Sequence, residues 1–475
     1  MVKELFKKLS IKKYSIDFEP KSIQQHTIRN GSEILCNLCY KDAPTKIMDS
    51  VEGSKEVCES CYSLYKLGEE ISFRKRYESS LIILNGKEYY PKKLYGNRDW
   101  DKINKYIIEM ISGHSEIEID ALEAGEIERR NVAIIKMDGN LMGPFIGTSI
   151  SFTDLYERSA RIDLALKKSI FKAIKTIYDS VSTITDDTEA AKQCFATLMG
   201  IFYAGGDDSL IALPSWLALP FSWIVGNEFR LRLGNIRGLG IGIAVGNAKA
   251  NIWSLISASD ELKAEAKRYT RNNPSSSSIM FDFAEETTLT GGIVKSRLEY
   301  LENEKLTTQP IILGNENDGF KEYVKILFNV SEYGELLRLS YLLSRYSRKE
   351  LIPESLRNKE DLIVSLCESQ RKAKSIRSAI QEVIRVANKT VRIENPNKNY
   401  VIIKWFVSKL YAHRQKARSE GKDKEQVYEI IISLSPKLSS KKTVDEFLKE
   451  NIDRSDNASY LDADRFIKIL GGGIL

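Results

Sequence analysis

Three acidic residues carry the chemistry this chain can offer. Asp207 and Asp208 follow two glycines in IFYAGGDDSLIALP, between two apolar runs, and Asp138 closes an earlier apolar run in IIKMDGNLMG. Adjacent carboxylates repel each other unless a countercharge is near. Gly205 and Gly206 permit a tight hairpin with positive φ, which lifts both acids to a sheet edge. Alone, GGDD reads equally well as a solvated hairpin turn. A third carboxylate at a neighbouring strand end shifts the balance, because three together form a site for two divalent ions roughly 3.5–4 Å apart. Mg2+ or Mn2+ suits such oxygen ligands and keeps waters on its other positions. One ion would acidify an attacking hydroxyl, and the other would stabilise charge on a triphosphate and its departing pyrophosphate. The chemistry expected of Asp138, Asp207 and Asp208 is therefore nucleotidyl transfer.

Few other side chains compete for that role. Lys267, in ELKAEAK, falls on a predicted helix facing the sheet edge, where it would neutralise phosphate charge; Lys263 lies one turn earlier. Arg158 and Arg161 read as solvated. His26, His114 and His413 are isolated from one another and suggest neither a nucleophile relay nor a metal set. No GxxxxGK[ST] loop is present, and the glycines at 238, 240, 242 and 246 do not form GxGxxG after a strand, so a dinucleotide fold is not expected. The nucleotide would be held through metal and backbone, including that of Gly205 and Gly206.

A second constellation is made of thiols. CNLC, with Cys36 and Cys39, is separated by eighteen residues from CESC, with Cys58 and Cys61. Each two-residue spacer lets a turn aim both sulfurs at one ion, so the set predicts tetrahedral Zn2+. Four protein thiolates leave no open position, which makes the site structural. Cys194 and Cys367 sit in apolar patterns and read as packed.

The elements that must position these residues follow from the hydrophobic pattern. NVAIIKMD is a buried strand; 152–178 has helical spacing through Leu164, Ile170, Phe171, Ile174 and Ile177. FATLMGIFYAGG is a strand running into the glycine turn, DDSLIALP a third strand, and RGLGIGIAVG a fourth, its alternating glycines suiting a closely approached strand. ASDELKAEAKRY is a helix capped by Ser259 or Asp260, and SSIMFDF a last strand. This order predicts an α+β layer, one sheet with helices on one face. Short strands such as SLIILNGKEYY fill 73–130, and helical patterning is nearly continuous beyond about 320. The expected organisation is a lead-in and four-cysteine ribbon over 1–72, a connector over 73–130, a palm over 131–300 and a helical bundle over 301–475.

Composition agrees with a globular chain: 475 residues, 42% apolar and 29% charged. A net charge of +6 permits a nucleic-acid partner without demanding one. No apolar run of about 18 residues occurs and the N-terminus lacks a signal core, so a cytoplasmic location without membrane contact is expected.

Taken in order, the CxxC…CxxC ribbon ending in SLYKLGEEI, the strand ending in Asp138-Gly139, GGDD, a helix ending in AK and a helical C-terminal part resemble the large polymerase/cyclase subunit of type III CRISPR effector complexes. The resemblance covers about residue 36 to the end. It implies a ferredoxin-like palm that joins ATP into cyclic oligoadenylates with release of pyrophosphate, within an RNA-guided antiviral complex. By the same resemblance Asp207 and Asp208 match the family's GGDD carboxylates, Asp138 the first acid of its DxDN-type strand end, and Lys267 its lysine near the triphosphate. The chain departs from the pattern at Asn140 and Leu141, where the family has a second acid and an asparagine; Asn140 retains an amide oxygen for a metal or nucleotide. The HD nuclease domain and first palm of full-length members are not expected here, which implies a second palm from another polypeptide or another copy. Further implied partners are the other effector subunits, guide RNA and target RNA. Two alternatives remain: a stand-alone cyclase related to GGDEF signalling proteins, weakened by Ser209 after the acidic pair, and a non-catalytic scaffold presenting Arg371, Lys372, Lys374, Arg377, Arg385 and Arg392 to protein or RNA.

Overall fold

The computed structural model describes residues 35–37, 43–50, 53–70, 82–89, 131–247, 250–284, 289–314, 318–345, 360–394, 401–435 and 457–471, with residues 446 and 449. The lead-in with His26, Cys39, and most of the connector with His114 lie outside them. The chain divides into two compact units, residues 1–97 with 149–152, and residues 98–148 with 153–475.

In the first unit a hairpin of β1 (Lys46–Ser50) and β2 (Gly53–Val57) precedes α1 (Glu59–Glu70). Cys36, Met48, Val57 and Cys58 form a small core with Tyr62 and Tyr65 packed on it. A second hairpin joins β3 (Ile82–Leu84) to β4 (Lys87–Tyr89). Its Asn85-Gly86 turn has φ of 49° and 77°, the left-handed pair that a two-residue hairpin favours.

The second unit is built on a six-stranded sheet. Its strands are β5 (Asn131–Gly139), β6 (Ile201–Gly205), β7 (Asp208–Pro214), β8 (Leu239–Asn247), β9 (Ser277–Phe283) and β10 (Ile311–Leu313), in the order β10-β9-β8-β5-β7-β6. Between β5 and β6 run α2 (Met142–Gly147), α3 (Phe152–Val181) and α4 (Asp187–Met199); α5 (Ser215–Arg232) follows β7, and α6 (Ile252–Thr270) follows β8. The core β-α-β-β-α-β order, with β8, β5, β7 and β6 antiparallel, is a ferredoxin-like layer. After it, β9 returns parallel to β8, as a helical crossover requires.

Helices cover both faces, not one. Ile134, Ala212, Ala244 and Met280 pack under Leu255, Ala258, Leu262 and Ala266 of α6, with Val294 and Leu298 of α7 (Gly291–Asn303) beside them. On the other face α5 lies so close that a Cβ on Gly226 would come 3.2 Å from Ile241. The cause is legible in burial: β9 is buried at every residue and β8 at all but Asn247, so neither strand has a water-facing side.

Three local expectations need correction. Phe195 to Met199 belong to α4, so the strand before the glycine turn starts only at Ile201. Helix α6 begins at Ile252 with Asn251 as its cap, accepting the Trp253 N–H at 2.9 Å, about two turns before Ser259. In α3, Leu164 and Phe171 face outward, while Ile170, Ile174 and Ile177 are buried. Cys194 is buried, as expected, and donates to the Ile174 carbonyl. Cys367 falls in α10, at a position whose side chain lies outside the described residues.

Among the described residues the remaining helices are α8 (Gly319–Phe328), α9 (Tyr333–Arg345), α10 (Glu360–Glu394), α11 (Val401–Glu420), α12 (Lys422–Ser433) and α13 (Tyr460–Leu470). Buried charge ties α13 to the sheet. Asp462 accepts from Thr307 Oγ1, the Thr308 N–H and Gln309 Nε2, and Arg465 reaches the buried Asp282 at 3.1 Å. Arg377 is spent on Asp464 at 2.8 Å and Arg385 on Glu382, so these two members of the basic group on α10 are engaged within the chain.

Candidate active site

Backbone register sets the site. In β5, Met137 stands opposite Ser209 of β7 and Asp138 opposite Gly240 of β8; Gly205 and Asp208 close the hairpin. Gly206 has φ of 62° at the first turn position, the conformation for which glycine is selected. Its N–H donates to Asp163 Oδ1 of α3 at 3.0 Å, so the turn is fixed from outside the sheet. A Cβ on Gly139 would come 2.9 Å from that of Asp207, so glycine there gives the hairpin acid room to approach β5.

The structure thus brings Asp138 and Asp207 within hydrogen-bonding reach of each other. Burial first, and the Asp138 charge second, push the Asp207 carboxyl above its ordinary value of 3.8; Lys267 works in the opposite direction. Lys267 Nζ sits 2.8 Å from Asp138 Oδ2, whereas Lys263 is 3.8 Å from that oxygen and pairs mainly with Asp260 at 2.7 Å. Two further glycines place these lysines. A Cβ on Gly240 would lie 2.3 Å from Lys267 Cγ, and one on Gly242 would lie 2.2 Å from the Ser259 carbonyl and 2.3 Å from Lys263 N. Helix α6 therefore rests on bare strand backbone, and its lysines reach across to β5.

Asp208 has different company. Its carboxylate lies 3.2 and 3.3 Å from Lys136 Nζ and accepts from the Tyr203 hydroxyl at 2.8 Å. Lys136 also donates to that hydroxyl, and its ammonium lies 4.7 Å from the centre of the Tyr203 ring. Burial opposes the Lys136 charge, but Tyr203 and Asp208 outweigh it and hold the ammonium above its ordinary range.

Sequence reasoning passed over Lys136, Tyr203 and Asp163. Lys136 had a signal: a charged residue inside an apolar strand, two positions before Asp138 and so on the same face. Asp163 had none, since its i,i+4 pairing with Lys167 reads as an ordinary helix surface. Asn140, a candidate ligand, is buried; its Nδ2 donates to the Ser276 carbonyl at 2.8 Å, and its Oδ1 is buried without a hydrogen bond among the described residues. Leu141 adopts left-handed φ of 51° ahead of α2. Arg158 is not simply solvated: it binds Asp154 and the Phe145 carbonyl, each at 2.7 Å, which joins α2 to α3. Arg161 is exposed beside Glu157, and His413 stacks on Tyr428.

A hard divalent cation fits the Asp138–Asp207 pair, because the Asp207 carboxyl, pushed up by burial and by the Asp138 charge beside it, is relieved by a positive charge that the two share. In the other unit, the sulfurs of Cys36, Cys58 and Cys61 lie within 4.8 Å of one another. Tetrahedral Zn2+ with bonds of about 2.3 Å spaces its sulfurs by roughly 3.8 Å, so this trio suits zinc; Cys39 is outside the described residues.

Comparison with known proteins agrees with this geometry. Residues 131–275 match the model of the Cas10/Cmr2 second palm domain. Among solved structures, the Csm1-Csm4 cassette in complex with pppApApA is 15% identical with a TM-score of 0.37, over 73% of this chain and 37% of that one. The same cassette with AMPPNP is also 15% identical, with a TM-score of 0.34, over 73% of this chain and 36% of that one. This chain therefore spans little more than a third of the length of those relatives. No curated protein matches it. Among the described residues, no helix is long and apolar enough to cross a membrane. The matched span coincides with the ferredoxin-like core and ends just past α6, enclosing Asp138, the GGDD hairpin and Lys267: residues 131–275 are a second palm domain of the Cas10/Cmr2 family.

Proposed function

We propose that this chain is a divalent-metal-dependent nucleotidyltransferase that joins ATP into cyclic oligoadenylates, working as a subunit of a type III CRISPR RNA-guided effector complex. The observation that carries the reading is the convergence of Asp138 and Asp207 beneath Lys267 at one edge of a palm. A bound Mg2+ or Mn2+ would supply Lewis acidity to the reacting oxygens. The chain's own residues do the positioning. Asp138 and Asp207 would hold the ion, Asp163 fixes the turn that presents Asp207, and Lys267 stands where its ammonium would meet triphosphate oxygens. In each transfer a ribose hydroxyl bonds to the α-phosphorus, the bond to the β-phosphate breaks and pyrophosphate leaves. The partners proposed with this activity are the other effector subunits, guide RNA, target RNA and a second palm.

The stand-alone GGDEF-type reading is disfavoured by Ser209, which is fully buried and paired opposite Met137, on the strand face away from Asp138. Incubating the protein with ATP and Mg2+ or Mn2+, with and without its target-bound complex, tests the proposal. It requires pyrophosphate and adenylate rings from the wild type and none from an Asp207→Ala, Asp208→Ala double variant. Equal behaviour of the two would leave a non-catalytic scaffold.

A further inference from the structure

Within that reading, on which this step rests, the three carboxylates are not equivalent. Lys136 Nζ is 3.2 Å from one oxygen of Asp208 and 3.3 Å from the other, nearly symmetric. That is the place a chelated cation would take on this carboxylate. The Tyr203 hydroxyl occupies Oδ2 at 2.8 Å, and Oδ1 is buried with no hydrogen bond among the described residues, its compensation being the lysine charge. Lys136 is well placed to stay: its side chain is 16% exposed, against 44% for Asp208, and it rises from the central strand of the sheet. A divalent ion bound to Asp208 at about 2.0–2.1 Å would meet this ammonium within a few ångströms, like charge against like. Asp138 also carries a lysine, with Lys267 Nζ 2.8 Å from its Oδ2, but that side chain is 27% exposed and comes from helix α6, so it can swing off the carboxylate, whereas Lys136 rises within the sheet and spans both oxygens of Asp208. Asp207 has the Asp138 carboxylate and the charge of Lys267 as neighbours.

We propose that Asp208 is not a metal ligand in this chain. Lys136 serves as its resident cation, and the Lys136–Tyr203–Asp208 cluster is a clamp that ties β6 and β7 to β5 beside the metal-holding pair. The protein's own carboxylates then hold one divalent ion, and a second enters only with the triphosphate.

Mn2+ titration of the full chain without nucleotide, read by electron paramagnetic resonance, tests this independently of turnover. The wild type should bind one ion. Asp138→Asn and Asp207→Asn should each weaken binding by about tenfold or more, as loss of a ligand does, while Asp208→Asn stays within about threefold, as for a screened neighbouring charge. Lys136→Met should vacate the cation position and raise the stoichiometry from one ion to two. An Asp208→Asn loss as large as that of Asp207→Asn, or two ions in the wild type, would overturn the clamp while leaving the palm reading intact. No Mn2+ binding by the wild type would overturn both.

Discussion

Replacing Gly242 by alanine is the sharpest test of how α6 is held over the sheet. The new Cβ would stand 2.2 Å from the Ser259 carbonyl oxygen and 2.3 Å from Lys263 N, both backbone atoms that no rotamer change can move. Relief to an ordinary contact of about 3.5 Å requires the helix to retreat by roughly 1.3 Å. That retreat loosens Leu255, Leu262 and Ala266 from Ile134 and Ala244, the centre of the core on this face. Overpacking of this kind costs about 2–3 kcal/mol, which in a body of this size lowers the melting temperature by roughly 3–4 °C. Gly205→Ala is the control: nothing lies within 4 Å of its added Cβ, and the change should stay within about 0.5 kcal/mol. Thermal unfolding of both variants by circular dichroism measures the difference. Equal melting temperatures would mean that α6 does not rest on bare strand at Gly242, and the placement of Lys263 and Lys267 over Asp138 would fall with it.

Four further outcomes are expected. Leu141 holds a left-handed φ of 51°, so Leu141→Gly should stabilise the protein by about 1 kcal/mol in urea unfolding; a destabilisation would contradict the strain. The raised Asp207 carboxyl makes protons compete with the metal, so Mn2+ affinity should start to fall above the ordinary carboxylate value of 3.8 as pH is lowered. For the metal-free protein the sign is opposite: stability tied to a raised carboxyl is present at low pH and lost as pH rises through its folded value, so Asp207→Asn should melt higher than wild type at neutral pH. Finally, a strong chelator should release zinc and unfold the β1–β2 hairpin with its small Cys36–Val57–Cys58 core, read by loss of amide protection there; unchanged protection would argue that the thiols pack without a metal.

Much of the palm was legible because its strands are short apolar runs with a definite end. NVAIIKMD and SSIMFDF needed no partner to be recognised, and GGDD announced its own turn. Boundaries were less visible where two signals overlap: Phe195 to Met199 are apolar enough for a strand, but they continue a helix capped by Asp186. The two-sided cover of the sheet was implicit in the unbroken burial of β8 and β9. What sequence alone did not offer was pairing across distance. Lys136 meets Tyr203 and Asp208 only because β5 and β7 are neighbours, and Asp163 reaches Gly206 only through the packing of a long helix beside the hairpin. The glycines of β8 carried the right hint, close approach, without revealing that lysine stems and helix backbone were what approached.

The most direct measurement is a crystal of the full chain grown with Mn2+ and no nucleotide, with data collected at the manganese absorption edge. The account predicts one anomalous peak within about 2.2 Å of carboxylate oxygens from both Asp138 and Asp207, with Lys136 still seated on Asp208. A peak bound to Asp208 in place of Lys136, or carboxyl groups of Asp138 and Asp207 too far apart to share an ion, would contradict it.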